Sequence, residues 1–116
     1  MRTMRRWVSG VLLVSVFGLM PVHAVDEAPS LAGTVWAGTD SDGDAYVFTF
    51  EADGTLAYRS PSGSYRNGRW SQFRSAVQFD TNDHYSDYLG EIRGKTMQGK
   101  AWNTKGLKWT WKATRQ

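Results

Sequence analysis

Beyond residue 44 the chain alternates apolar and polar side chains with a period of two. In "AYVFTFE", Tyr46, Phe48 and Phe50 share a face. In "TLAYRS" Leu56 goes with Tyr58, and in "SAVQFD" Val77 goes with Phe79. "YLGEIRG" aligns Tyr88, Gly90 and Ile92. "TMQGKAW" sets Met97, Gly99 and Ala101 against Gln98, Lys100 and Trp102, and "LKWTWKA" sets Leu107, Trp109, Trp111 and Ala113 against Lys108, Thr110 and Lys112. Alternation of this kind puts one face of a strand on a core and the other in water, as antiparallel sheets do. No segment after residue 24 carries the 3.6-residue period of a helix over a helical length.

Turn formers separate these runs: "DSDGD" at 40–44, "ADG" at 52–54, "SPSGS" at 60–64, "NG" at 67–68, "TNDH" at 81–84, "GK" at 94–95 and "NTKG" at 103–106. Glycine supplies positive φ, proline fixes φ, and Asn or Asp bonds its own backbone, so each favours a reversal. Eight strands follow, near 33–38, 45–51, 55–60, 66–72, 75–80, 85–93, 96–102 and 107–114. Short strands with turns at this spacing predict an all-β fold, an eight-stranded antiparallel up-and-down β-barrel or meander. Gly90 and Gly99 lie inside strands, where glycine marks a bend, a bulge or close packing, and a neighbouring tryptophan can cover the missing side chain. Eight strands enclose room for side chains or one small ligand, so any pocket is expected to be small and near one open end.

The first residues follow a different pattern. "MRTMRR" has three arginines and no acid, "WVSGVLLVSVFGLM" is a 14-residue apolar run, and "PVHA" places Val22 and Ala24 at the −3 and −1 positions of a cleavage site. This is the tripartite form of a secretory signal peptide, and the run is short for a membrane span of roughly 20 residues. The expected organisation is a signal peptide at 1–24, a loose segment at 25–32 and one barrel domain at 33–115, with a periplasmic or secreted address and no membrane insertion after cleavage.

Cleavage changes the charge. The chain has 14 Lys+Arg and 11 Asp+Glu, and Arg2, Arg5 and Arg6 leave with the signal, so the mature chain is neutral. A neutral surface with interspersed signs argues against nucleic acid or an anionic membrane as the main partner. There is no cysteine, hence no disulfide, thiol nucleophile or cysteine-bound metal. A domain of this size must then rest on its core alone. Five tryptophans (36, 70, 102, 109, 111), five tyrosines and four phenylalanines supply it.

The order of "LAGTVWAG", "FTFEADGTLAY", "GRW" and "YLGEIRGKTMQGKAWNTKGLKWTWKATR" resembles a group of small secreted bacterial β-barrel proteins of lipocalin-like, or calycin, type. Their pattern opens on G-T-x-W, here Gly33-Thr34-Val35-Trp36, passes a D-G-T hairpin, here Asp53-Gly54-Thr55, and closes on a glycine- and tryptophan-rich run, here Gly90 to Trp111. The resemblance implies a barrel over nearly all of the mature chain. Avidin-like barrels share the opening, but no polar biotin-binding set can be placed on this chain.

Candidate chemistry is sparse. Asp40, Asp42, Asp44 and Glu51 occupy positions 1, 3, 5 and 12 of an EF-hand count, but Ala45 holds the sixth position, where the turn takes glycine. The loop reads as a polar hairpin and no metal site is expected, with a weak calcium site on the three aspartates as the alternative. His84, the one histidine of the mature chain, has Asp83 and Ser86 nearby, but no serine sits in a G-x-S-x-G elbow. It reads as an exposed turn residue. Asp87 and Glu91 share one strand's outer face rather than facing each other across a cleft, as a glycosidase pair would.

No catalytic residue and no cofactor is therefore assigned. The reading is an exported, non-enzymatic binding protein taking a small apolar or aromatic ligand at the barrel mouth, lined by Trp36, Tyr58, Trp70, Trp109 and Trp111. The alternative is a protein-binding inhibitor or immunity factor for an envelope hydrolase or toxin, with Trp102, Tyr85 and the "DSDGD" acids as contacts.

Overall fold

A computed structural model describes residues 28–116; the expected signal peptide and residues 25–27 lie outside them. Eight strands are present: β1 (Thr34–Asp40), β2 (Ala45–Phe50), β3 (Thr55–Ser60), β4 (Gly63–Phe73), β5 (Ala76–Thr81), β6 (Ser86–Arg93), β7 (Thr96–Asn103) and β8 (Lys108–Arg115). Each pairs antiparallel with its neighbours in sequence, and β1 pairs with β8 as well as β2, closing the barrel. The expected eight-stranded meander is the observed fold.

One turn signal is overridden. Asn67 and Gly68 lie inside β4, and the reversal before it shrinks to Pro61–Ser62. Here Gly68 gives room rather than a turn, because a Cβ would run into the Asp80 carbonyl oxygen and meet Leu56 Cβ at 3.1 Å. The register between β3 and β4 shifts beside it, between Leu56 and Tyr58.

Aromatic rings fill the interior. Phe79 stacks on Tyr88 with centroids 4.6 Å apart, meets Phe48 at 5.0 Å, and takes Trp111 and Phe50 edge-on at 5.3 and 5.4 Å. Phe48, Phe50, Phe79 and Trp111 are all buried. Rings of this size each bury about 150–250 Å² and prefer such offset and T-shaped contacts. Gly90 in β6 and Gly99 in β7 make space for one of them. Gly90 pairs with Gly99, and Gly99 with Trp111. A Cβ on Gly90 would stand 2.6 Å from Trp111 Cζ2, so the indole lies where that side chain would be.

In a meander, alternate loops share an end. Residues 51–54, 74–75 and 94–95 lie at one end with the chain entry. That end is closed. Within the segment read as loose, Leu31 is 2% exposed. Its N–H donates to Gln72 Oε1 at 2.9 Å, Gln72 Nε2 donates to the Pro29 carbonyl, and Thr34 Oγ1 donates to the Leu31 carbonyl. Trp36 Nε1 donates in turn to Thr34 Oγ1 at 2.9 Å. Residues 41–44, 61–62, 82–85 and 104–107 surround the opposite end, the mouth.

Candidate functional site

The mouth holds a cavity of about 400 Å³ lined by Tyr46, Tyr58, Tyr65, Tyr85, Tyr88 and Trp109. These are all five tyrosines of the chain. Each stands within three residues of a mouth loop: Tyr46 second in β2, Tyr58 third from the end of β3, Tyr65 third in β4, Tyr85 just before β6, and Tyr88 third in β6. Asp44, the Ser60–Pro61–Ser62 turn, Thr81, Asn82 and Ser86 complete the rim, and no lysine or arginine is among the lining residues.

Three hydroxyls are tied to the wall. Tyr46 donates to Asp40 Oδ2 at 2.9 Å, Tyr58 to Asn67 Oδ1 at 2.6 Å, and Tyr65 faces the carbonyl of Ser62 at 3.0 Å. Tyr88 forms the floor. It is 3% exposed. The Trp109 N–H is buried without a partner, its ring edge-on to Tyr88 at 5.9 Å. Burial, then the Asp40 carboxylate, pushes the Tyr88 phenol up to about 12, with the neighbouring Trp109 N–H and Tyr46 hydroxyl acting against that rise. Tyr46 is raised further, by burial first and then by Tyr88, Asp40 and Asp44. Tyr58 is raised by burial. The floor is thus a poor place for an added negative charge.

The β5–β6 loop is wound left-handed. Asn82, Asp83 and His84 have φ of 54°, 52° and 68°. L-residues resist this region, and Asn, Asp and His tolerate it best. Buried Asp80 holds it: its Oδ2 accepts the His84 N–H at 3.0 Å and its Oδ1 the Arg69 N–H at 3.1 Å. The Asn82 N–H donates to Tyr58 Oη at 2.9 Å. The strained loop therefore fixes the rim residue Asn82 to a ring of the cup, and strain of this kind gathers at binding sites.

The expected ligand set is only partly brought together. Tyr58 and Trp109 line the cup, and Tyr85, expected as a partner contact, lies on its rim. Trp36 is 1% exposed near the closed end. Trp70 is there too, half-buried, its N–H on the Glu51 carbonyl and its ring against Phe50. Trp111 packs centrally, its N–H on the Lys100 carbonyl at 3.1 Å. Trp102 stands outside the barrel, 39% exposed.

The remaining candidates have plain settings. Asp40 Oδ1 accepts the N–H groups of Asp42 and Asp44 and its other oxygen the Tyr46 hydroxyl, so that carboxylate organises its own loop. No group of three His, Cys, Asp or Glu able to hold a metal occurs among the described residues. The His84 ring is exposed, 3.7 Å from Asp80 and 3.6 Å from Asp87. No protein-family model, curated protein or solved structure matches the chain.

Proposed function

We propose that the protein is an exported, non-enzymatic binding protein of lipocalin-like type that takes a small ligand with an aromatic or apolar body into the mouth cup. One observation carries this reading: all five tyrosines converge with Trp109 on a single cavity. Its volume lies within the usual range of small-ligand sites, and it mixes ring surface with a few polar groups as such sites do. Tyrosine suits a wet, adaptable pocket, because it offers a ring face at low entropic cost and a hydroxyl that can be tied off. Native mass spectrometry on the mature protein from its own host tests the reading. A small-molecule adduct that disappears in Tyr58→Leu and Tyr65→Leu is the expected result. An adduct that survives both substitutions would place the ligand elsewhere.

A second reading, docking to an acidic protein partner such as an envelope hydrolase or toxin, is favoured by the outer wall. Leu89 and Trp102 are 45% and 39% exposed there. Lys100 faces Leu89 across one strand pair, and Lys108 faces Trp102 across the next. An exposed tryptophan among lysines is a common contact residue. Trp102→Ala is expected to keep the melting temperature and to lose a partner captured from envelope extract; unchanged capture would count against this reading.

A further inference from the structure

We infer that the cup selects a cation: a protonated amine carried on a small aromatic or apolar body. This rests on the cup being the binding site and names the charge of what it takes. The charges of this neutral mature chain are sorted rather than interspersed. Residues 28–89 carry eight acidic and four basic side chains, and residues 90–116 carry one acidic and seven basic. The folded barrel turns this into geometry. Asp40, Asp42, Asp44, Asp80, Asp83 and Asp87 all lie at the mouth end, on or beside the β1–β2 and β5–β6 loops. Lys105 is the one lysine in a mouth loop and does not line the cavity, while Lys100, Lys108 and Lys112 point outward from β7 and β8, exposed and opposite in facing to buried Ala101, Trp111 and Ala113.

The lining agrees with that field. Asp44 is its one charged residue. With Tyr46, Tyr58 and Tyr65 hydroxyls already engaged, these residues offer a ligand mainly ring surface. The negative face of an aromatic ring attracts an ammonium group, more strongly once water is excluded. The Tyr88 hydroxyl also lines the cup, and its oxygen can accept an ammonium N–H. An anion would meet Asp44 with no basic donor to receive it. A neutral ligand would gain nothing from the acids around it.

Three probes with one body separate the possibilities: 2-phenylethylammonium, 2-phenylethanol and 3-phenylpropionate, titrated into the mature protein and followed by calorimetry and tryptophan fluorescence. The ammonium probe is expected to bind at least about tenfold more tightly than the alcohol, with the carboxylate weakest. Asp44→Asn is expected to weaken the ammonium probe about fivefold and leave the alcohol unchanged, whereas Glu91→Gln, on the outer wall away from the mouth, changes both little. Tyr65→Leu, which alters a partly exposed ring and spares the core, is expected to weaken the ammonium probe as well. If the alcohol or the carboxylate binds as tightly as the ammonium probe, the charge assignment is overturned and the cup remains. If no probe binds at about 10 mM, far weaker than any working site, the cup itself falls and the inference with it.

Discussion

Trp109 and Trp111 lie two residues apart on the same strand and face the same interior, yet Trp→Phe should act on them in opposite ways. Trp111 is 4% exposed, donates to the Lys100 carbonyl at 3.1 Å and covers the Gly90–Gly99 pair. Replacing it with Phe removes one hydrogen bond, worth about 1 kcal/mol net, and opens a void above two glycines that have no side chains to fill it. A total cost of roughly 2–4 kcal/mol follows from these two terms. Trp109 is half-buried and its N–H has no partner. The same substitution there loses some packing, about 1 kcal/mol, but relieves a buried donor whose desolvation costs about 1–3 kcal/mol. The net change should run from about zero to about 2 kcal/mol of stabilisation. Urea unfolding, fitted for both midpoint and slope, reads this directly. In a domain of this size each kcal/mol moves the melting temperature by about 4–8 °C, so Trp111→Phe should fall by about 10 °C or more while Trp109→Phe holds or rises. Equal losses at the two positions would refute the assignment of an unsatisfied N–H and the account of Trp111 as the cover for the glycine pair.

Three more perturbations follow from the geometry. Gly99→Ala would drive a Cβ into the Leu89 carbonyl oxygen and within 2.6 Å of Gly90 Cα. Both are backbone, so the β6–β7 ladder must open, at more than the 1–3 kcal/mol typical of overpacking; hydrogen exchange should show protection lost along β6 and β7 first. Asp80→Ala removes the acceptor of the His84 and Arg69 N–H groups. It should cost roughly 2–4 kcal/mol and loosen the left-handed loop, seen as shifted amide resonances of residues 81–85. Alkali should unfold the barrel from the cup. The Tyr88 phenol rises from 10.0 to about 12 on folding, so the unfolded chain ionises first, and stability is full below pH 10 and falls as pH rises towards 12. Tyr88 alone takes away roughly 2–3 kcal/mol across that window, with Tyr46 and Tyr58 acting in the same direction. Tyrosinate absorbance should therefore appear together with loss of the β-sheet spectrum, and Tyr88→Phe should lessen the alkaline slope.

The barrel was legible because its signal is local. Period-2 alternation and turn residues placed the strand ends within a few residues, and the exception is instructive: Asn67–Gly68 has turn chemistry, but its role is set by Asp80, twelve residues further on in the chain. The binding set was less legible. Trp36, Trp70 and Trp111 have large apolar rings, and ring size alone points inward without telling the filled middle of a barrel from its mouth. The tyrosines carried the missing signal. Tyr46, Tyr58, Tyr65, Tyr85 and Tyr88 each stand beside a loop of the same parity, and in a meander equal parity means the same end. Residue type alone conceals that; strand order and loop parity together reveal it. What no local pattern contains is the left-handed loop, since its Asp80, Asn67 and Tyr58 supports come from three different strands.

Net charge misleads for a related reason. A neutral sum is compatible with mixed signs and with signs sorted onto separate faces, and the two behave differently. Mixed charges cancel within a Debye length of about 8 Å, whereas sorted ones leave a field beyond it. In this barrel six of the acids fall on or beside the β1–β2 and β5–β6 loops; of the five lysines Lys105 and Lys108 lie on or beside the β7–β8 mouth loop, and none lines the cavity. The cavity opens among the acids and has no base in its lining. On the cation reading, the same acids that draw a ligand towards the mouth are kept off the floor, where Tyr88 and Trp109 present neutral groups and ring surface. Capture should then weaken as salt rises, through the rim, while retention, set by the buried rings, should not. Association and dissociation rates measured across ionic strength separate the two: salt should slow the first and leave the second nearly constant.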